Sequence, residues 1–242
     1  MGEREWRMAA RARRRRLVLR LGTVATFVTF LGLYLSPLFR IQEVDVVGAH
    51  YVDLREVEEA VRLKGRSIIA LPLEEATARV RGLPMVREAS ISLRWPHRLL
   101  VQIEERRPWG YWVRQGYAYV VDDEGVVLEG PMPPAGASSI IETNGVGALR
   151  LGDRVDREAI AVARRLLEWV PGVLGTQVIS FHYDMERGLS IMTSDGMTVV
   201  VGRAEGLEYK LAVWEALVRK LGSKSLAGRM LDLRLGGGPA LR

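Results

Sequence analysis

The sequence predicts an α+β protein: a single N-terminal transmembrane helix, a β-α-α-β-β domain, and a second α+β domain with a mostly antiparallel sheet. Three observations carry this. An uncharged run, LGTVATFVTFLGLYLSPLF at 21–39, follows an arginine-laden leader. Two helical periodicities between 53 and 81 are followed by paired alternating strands. From 117 onward, short strands interleave with two longer amphipathic helices.

The uncharged run lies between Arg20 and Arg40. At 1.5 Å per residue it spans about 28 Å, close to the hydrocarbon thickness of a bilayer. Its Leu, Val and Phe residues each favour insertion by roughly 0.3–0.6 kcal/mol, which outweighs Thr, Gly, Ser and Pro37. The leader 1–20 holds Arg4, Arg7, Arg11, Arg13, Arg14, Arg15, Arg16 and Arg20 against Glu3 and Glu5. Cationic flanks stay inside, so the expected orientation is single-pass type II in the cytoplasmic membrane, with the N-terminus cytoplasmic and the rest exported. SPLFRIQEV offers no small-residue cleavage site, which argues for an uncleaved anchor over a signal peptide.

The leader's excess equals the formal net charge of +6, so the remainder is neutral overall. A basic protein of this size invites a nucleic-acid reading. Here the basicity is confined to a block beside the membrane, where it sets topology and contacts anionic lipid. No nucleic-acid partner is expected. There is no cysteine, hence no disulfide and no thiolate metal site.

IQEVDVVG reads as a strand ending at Gly48. Asp53 with Glu56 marks a helix start, followed by Val57, Ala60 and Val61 on one face, for a helix near 53–63. Leu73, Ala76, Thr77 and Val80 repeat the spacing, and Gly82 to Pro84 ends it. Ala89, Ile91, Leu93 and Trp95 then alternate with polar residues; Pro96 closes that strand, and Leu99, Val101 and Ile103 line a partner running back. Three strands with two helices on one face bury a core in about 65 residues.

Further on, YAYVV and VVL flank DDEG as a hairpin, and GPMPPAGASS is a loop. Ile160, Ala163, Leu166, Leu167 and Val170 predict a helix over 156–170, stopped by Pro171-Gly172. VISFHY, GLSIMT and MTVVVG are three strands, with Asp195-Gly196 as a hairpin turn. Leu207, Leu211, Trp214, Ala216, Leu217 and Leu221 mark a helix over 205–221, and RMLDLRL is a final strand before GGGPALR. The two exported domains are expected to meet near Arg106 to Trp112.

Catalytic chemistry is not evident. His50, His97 and His182 are dispersed without ligand spacing, and no nucleophile elbow or phosphate loop occurs. Asp122, Asp123 and Glu124 precede Gly125 as turn residues rather than a cation site, and Asp195 belongs to its hairpin. No catalytic residue, cofactor or metal ligand is assigned, and the chain reads as a non-enzyme.

The stretches FRIQEVDVVGAHYVDLREVEEAV and SIIALPLEEATARVRGLPMVREASISLRWPHRLLVQIEERRPWGYW resemble a POTRA domain of the FtsQ/DivIB family of bacterial cell-division proteins. YVVDDEGVVL, SDGMTVVVG, YKLAVWEALVRKL and MLDLRLGGGPALR continue the resemblance in order, covering most of residues 17–242 and weakest over 129–176. It implies a cytoplasmic tail (1–20), transmembrane helix (21–39), POTRA domain (40–107), FtsQ/DivIB-type β domain (108–235) and C-terminal tail (236–242). It also implies a septal scaffold that recruits and bridges division proteins, links to the FtsB/DivIC-type and FtsL-type partners, and regulates septal peptidoglycan synthesis. The other reading is a POTRA-bearing component of protein export or envelope assembly that binds client strands.

Carried over by position, Leu231, Asp232, Leu233, Arg234 and Leu235 match the family's partner-binding final strand, and Gly236, Gly237 and Gly238 the turn after it. Family members commonly have an aromatic where Leu235 stands. A terminal strand suits a sheet edge, where unpaired backbone groups accept an extended partner. The alternative is a central strand with Leu231, Leu233 and Leu235 in the core. The edge reading expects Leu233→Glu to weaken partner association without unfolding. Trp95 and Pro96 are read as core or turn residues.

Overall fold

The computed structural model describes residues 20–29, 31–32, 39–68, 71–222, 226, 228–234 and 240–241. Residues 20–29 and 31–32 are helical and expose Leu21, Val24, Phe27, Val28 and Leu31. The Thr23, Thr26 and Thr29 hydroxyls donate back to the carbonyls of Arg20, Gly22 and Ala25 at 2.8–2.9 Å, leaving no free donor on those side chains. Among the described residues no helix is long and apolar enough to cross a membrane. Residues 30 and 33–38 of the expected span, and residues 1–19 of the leader, lie outside the described residues.

The chain divides into two compact units: Met1–Gly82 with Glu88–Glu104, and Leu83–Arg87 with Glu105–Arg242. In the first, β1 (Glu43–Val47), α1 (Leu54–Val61), α2 (Leu73–Arg81), β2 (Val86–Arg94) and β3 (Arg98–Glu105) follow the expected β-α-α-β-β order. The sheet order is β1-β3-β2. β1 runs parallel to β3, a pairing that the intervening two-helix crossover permits.

Asp53 caps α1, its carboxylate accepting from Arg55 N at 2.9 Å. The other end is closed from outside: Arg79 on α2 donates Nε to Ala60 O and Nη2 to Val61 O, both at 2.8 Å. A guanidinium there satisfies two orphan carbonyls and meets the negative end of the helix dipole. Val57 and Val61 of α1, Ala76 and Val80 of α2, and Ala89, Leu99, Val101 and Ile103 of the strands are all buried. Trp95 departs from the alternation. β2 ends at Arg94, the tight turn lifts the indole off the sheet, and Trp95 is 66% exposed.

The second unit is built on a nine-stranded sheet. Its strands are β4 (Pro108–Arg114), β5 (Tyr117–Asp122), β6 (Val127–Leu128), β7 (Ser139–Glu142), β8 (Val178–Asp184), β9 (Gly188–Thr193), β10 (Thr198–Gly202), β11 (Met230–Asp232) and β12 (Ala240–Leu241). The order is β12-β11-β10-β9-β8-β7-β4-β5-β6. Where the sequence suggested a mostly antiparallel sheet, the sheet is mixed: β4–β7, β7–β8 and β10–β11 are parallel and the other five pairings antiparallel. Two of the three parallel pairings follow from helices, while β4–β7 is reached through β5, β6 and the loop that follows them. α3 (Arg157–Trp169) carries the chain from β7 to β8 and α4 (Leu207–Leu221) from β10 to β11, and such crossovers join parallel strands.

One face of the sheet contributes Trp112, Ile140, Phe181, Leu189, Ile191, Val199, Val201 and Leu231 to a single core, completed by Ile160, Ala163 and Leu166 of α3 and by Leu211 and Trp214 of α4. Trp169 and Trp214 meet with ring centres 5.5 Å apart. Ala216 and Leu221, expected on the apolar face of α4, lie exposed. The α-helical ladder of α3 ends at Trp169, just ahead of Pro171-Gly172 as the sequence predicts, but the chain stays helical beyond it. Pro171 lacks the N–H for the α-helical ladder, and the chain widens into a π-helical turn over Val170–Leu174.

Candidate partner-binding edge

Of the two ends of the nine-stranded sheet, the β6 end is sealed by its own chain. Val127 N donates to Asp153 O at 2.9 Å, Gly152 N to Val127 O at 3.0 Å, and Val155 N to Gly125 O at 2.8 Å. The segment 152–155 thus takes up backbone groups that an edge strand otherwise leaves open.

At the opposite end the order is β10, β11, β12. Leu231 and Asp232 of β11 pair on one side with Val199 and Val200, and on the other with Leu241 and Ala240. Leu233 N extends the ladder to Val200 O at 2.9 Å. Leu231 and Asp232 therefore stand one strand in from the rim, and the two-residue β12 is outermost among the described strands. Leu231 is fully buried and Leu233 is 6% exposed, both in the core. A charge at Leu233 therefore enters the core, so Leu233→Glu is expected to act on folding. Leu235, Gly236, Gly237 and Gly238 lie outside the described residues.

What faces solvent here is Met230, 45% exposed, together with Arg234, whose Nη2 and Nε reach the Asp232 carboxylate at 2.6 and 2.9 Å. That bond, more than the opposing burial, raises the Arg234 pKa. Beside Arg234 opens a concavity of about 550 Å³ walled by Arg187, Arg203, Tyr209, Lys210 and Leu233, with Glu186 and Glu205 also lining it. Lys210 on α4 donates to Arg203 O at 2.8 Å, and burial lowers its pKa. With Arg234 held by Asp232, Arg187, Arg203 and Lys210 stand against Glu186 and Glu205, and this net positive lining suits an acidic group on a partner. Sequence reading missed Arg187, Arg203 and Lys210; their signal was basic residues bordering two glycine-marked turns.

The other residues considered for chemistry have structural partners. Asp122 Oδ1 accepts from Glu124 N and Val126 N, and Oδ2 from Arg106. Asp123 pairs with Arg87 and Arg164, each at 3.2 Å. Asp195 accepts from the Thr193 hydroxyl within a turn where Gly196 has φ +83°. His50 contacts Gly48 O and His182 contacts Ser180 Oγ, each at 3.3 Å, and Gln42 N donates to His97 O at 2.9 Å. Among the described residues, no group of three or more His, Asp or Glu side chains is placed to hold a metal.

Residues 39–106 match the FtsQ-type POTRA domain, and residues 110–234 match the C-terminal domain of cell division protein FtsQ/DivIB. The chain belongs to the FtsQ/DivIB family. It is 32% identical over 209 residues to cell division protein FtsQ of Chloroflexus aurantiacus, covering 86% of this chain and 77% of that one. Against FtsQ of Chloroflexus aggregans the identity is 34% over 192 residues, covering 78% and 70%. Against cell division protein DivIB of Bacillus selenitireducens it is 28% over 198 residues, covering 78% and 72%. This FtsQ/DivIB-family chain is thus a cell-division protein with a POTRA domain and a second α+β domain. The FtsQ/DivIB match closes at Arg234, the last described residue of the segment that includes β11.

Proposed function

We propose that this chain is a non-enzymatic scaffold of the division septum. In this reading residues 21–39 anchor it in the cytoplasmic membrane, the N-terminus stays inside, and both domains work outside. An FtsB/DivIC-type protein, accompanied by an FtsL-type protein, docks at the C-terminal sheet edge through residues 231–238, and the resulting assembly regulates septal peptidoglycan synthesis. One observation carries the reading: the β6 end of the sheet is sealed by 152–155, whereas the β11–β12 end closes with a two-residue strand beside a cationic hollow. An extended partner adds to β12, or to β11 in place of β12, by backbone pairing. Family membership supports the divisional role, and the arginine leader followed by an uncharged run supports the topology.

The test is copurification of the full chain with an FtsB/DivIC-type protein, comparing wild type with Met230→Asp and Arg234→Glu. Both side chains point away from the core, so the circular dichroism spectrum stays unchanged while partner recovery falls at least about tenfold, as for loss of an interface anchor. Full recovery with both variants would count against the edge.

A further inference from the structure

We propose that the end of the first unit formed by residues 39–42, 64–67 and 94–98 rests on an anionic lipid surface, with the Trp95 indole among the headgroups. The inference rests on the reading of 21–39 as the anchor and extends it to the folded domain.

Phe39, the last residue of the expected span, packs edge-on against Trp95 with ring centres 6.4 Å apart. No linker intervenes between that point and the fold. Ile41 N donates to Arg66 O at 2.9 Å, Gly65 N to Ile41 O at 2.8 Å, and Gln42 N to His97 O at 2.9 Å, while Arg40 bridges to Ser67. Three segments are thus stitched together where the chain leaves the bilayer. A surface this close to the end of the span leaves no room for a folded protein between itself and the headgroups, which makes lipid the occupant.

The side chains fit that surface. Trp95 is 66% exposed, and an indole combines an apolar body with an N–H donor, the combination that favours the bilayer interface. Around it Arg40, Lys64, Arg66 and Arg94 are exposed, and none has an ion-pair partner among the described residues. The acids on the adjoining strand are engaged elsewhere: Arg98 holds Glu43 at 2.8 Å and Asp45 at 3.8 Å. Among the described residues the unit therefore presents four cations without an ion-pair partner around an exposed aromatic ring, on a chain whose portion beyond the leader is neutral overall. Each cation near an anionic surface shifts the docked-to-lifted ratio by about fivefold.

The experiment reconstitutes the full chain in vesicles of phosphatidylglycerol and phosphatidylcholine carrying brominated acyl chains, and takes the fluorescence of Trp95 as the difference between wild type and Trp95→Phe. Because Trp95 is exposed, the variant keeps the wild-type circular dichroism spectrum. The expected result is quenching of the Trp95 emission in phosphatidylglycerol vesicles, at least twofold weaker in phosphatidylcholine alone and shifted by at least about 25-fold toward the lifted state by Lys64→Glu with Arg66→Glu. Absence of quenching, or equal quenching in both lipids, overturns the proposal. A fluorescent probe on Thr26→Cys, in a chain without native cysteine, separates the two readings. If that probe escapes quenching the anchor itself fails; if it is quenched while Trp95 is not, only this inference fails.

Discussion

Arg106 Nη1 and Asp122 Oδ2 meet at 2.6 Å inside the second unit, with side-chain exposures of 9% and 1%. The pair does not stand alone. The same guanidinium nitrogen reaches Glu124 Oε2 at 2.7 Å, and Asp122 Oδ1 accepts Val126 N at 2.8 Å. Burying a charge is costly, and it is tolerated here because the lone pairs are taken up by donors. Arg106→Ala leaves Asp122 charged and unpaired, so it is expected to destabilise the unit by about 3–5 kcal/mol in urea unfolding. Replacing both residues by apolar ones of similar size costs less than the two single changes added together, which a double-mutant cycle measures.

Glu124 links that cluster to pH. Its carboxyl is held below the usual range chiefly by the hydrogen bond from Arg106, against an opposing effect of burial. A carboxyl depressed on folding adds stability above its unfolded value, near 4.3, and that contribution is lost as pH falls through the folded value. The urea midpoint is therefore expected to hold from pH 7 to pH 5 and to fall below about pH 4.5. In Arg106→Gln the acid limb is shallower; an unchanged limb would exclude Glu124 as its source.

Asp156 serves two elements at once. Its Oδ1 accepts Ala159 N at 2.9 Å, capping α3, and its Oδ2 accepts the Tyr183 hydroxyl of β8 at 2.5 Å. Burial, then that bond, raises the Tyr183 pKa. Asp156→Ala is expected to cost roughly 2–4 kcal/mol, since it removes a cap and leaves a phenol without its partner. Tyr183→Phe costs about 1 kcal/mol. Thermal unfolding of the two variants ranks them, and equal losses would mean that the cap contributes nothing.

Gly188 begins β9 at φ +77°, and a Cβ there comes within 2.5 Å of the Gly202 carbonyl carbon. Neither strain nor clash is relieved by a flexible side chain, so Gly188→Ala is predicted to cost about 2–4 kcal/mol. Gly65 has a similar φ of +80° but open space around its Cβ position. Gly65→Ala is therefore expected to cost only about 1–2 kcal/mol by the same measurement, and similar losses at both sites would mean that the close approach is harmless.

Leu233 and Met230 lie near each other in sequence but differ in burial, at 6% and 45% exposure. Leu233→Glu places a charge in the core and is expected to lose about 3–5 kcal/mol, visible as early thermal unfolding without any partner present. Met230→Asp leaves the melting temperature within a few degrees of wild type. The reverse ranking would mean that the strand is turned over.

Much of this was legible in the residues. Asp53 announces its helix through a short acceptor side chain before an apolar periodicity and caps it as expected, whereas the helix over 156–170 is read from its apolar spacing and its Asp156 cap comes from the structure. The alternation at Leu99, Val101 and Ile103 showed which face is buried. What escaped depends on partners distant in sequence. β7 is four residues long, and its place comes from pairing with β4 and β8 rather than from its own pattern. Arg79 reads as a solvated helix residue until α1 brings two open carbonyls to it. The rim at β11 was blurred for the same reason: Leu231 and Leu233 show the alternation of a core strand, and nothing local reveals that Ala240 and Leu241 return beside them.

The closure of β6 by residues 152–155 also limits valency. A sheet open at both margins can join copies end to end without limit, in the manner of a growing fibre. With one margin stoppered, an extended guest taken at the other finds no second seat for a successor, and the nine-stranded platform terminates a stack instead of propagating it. In the docking proposed above, each copy of the protein takes one guest through this sheet.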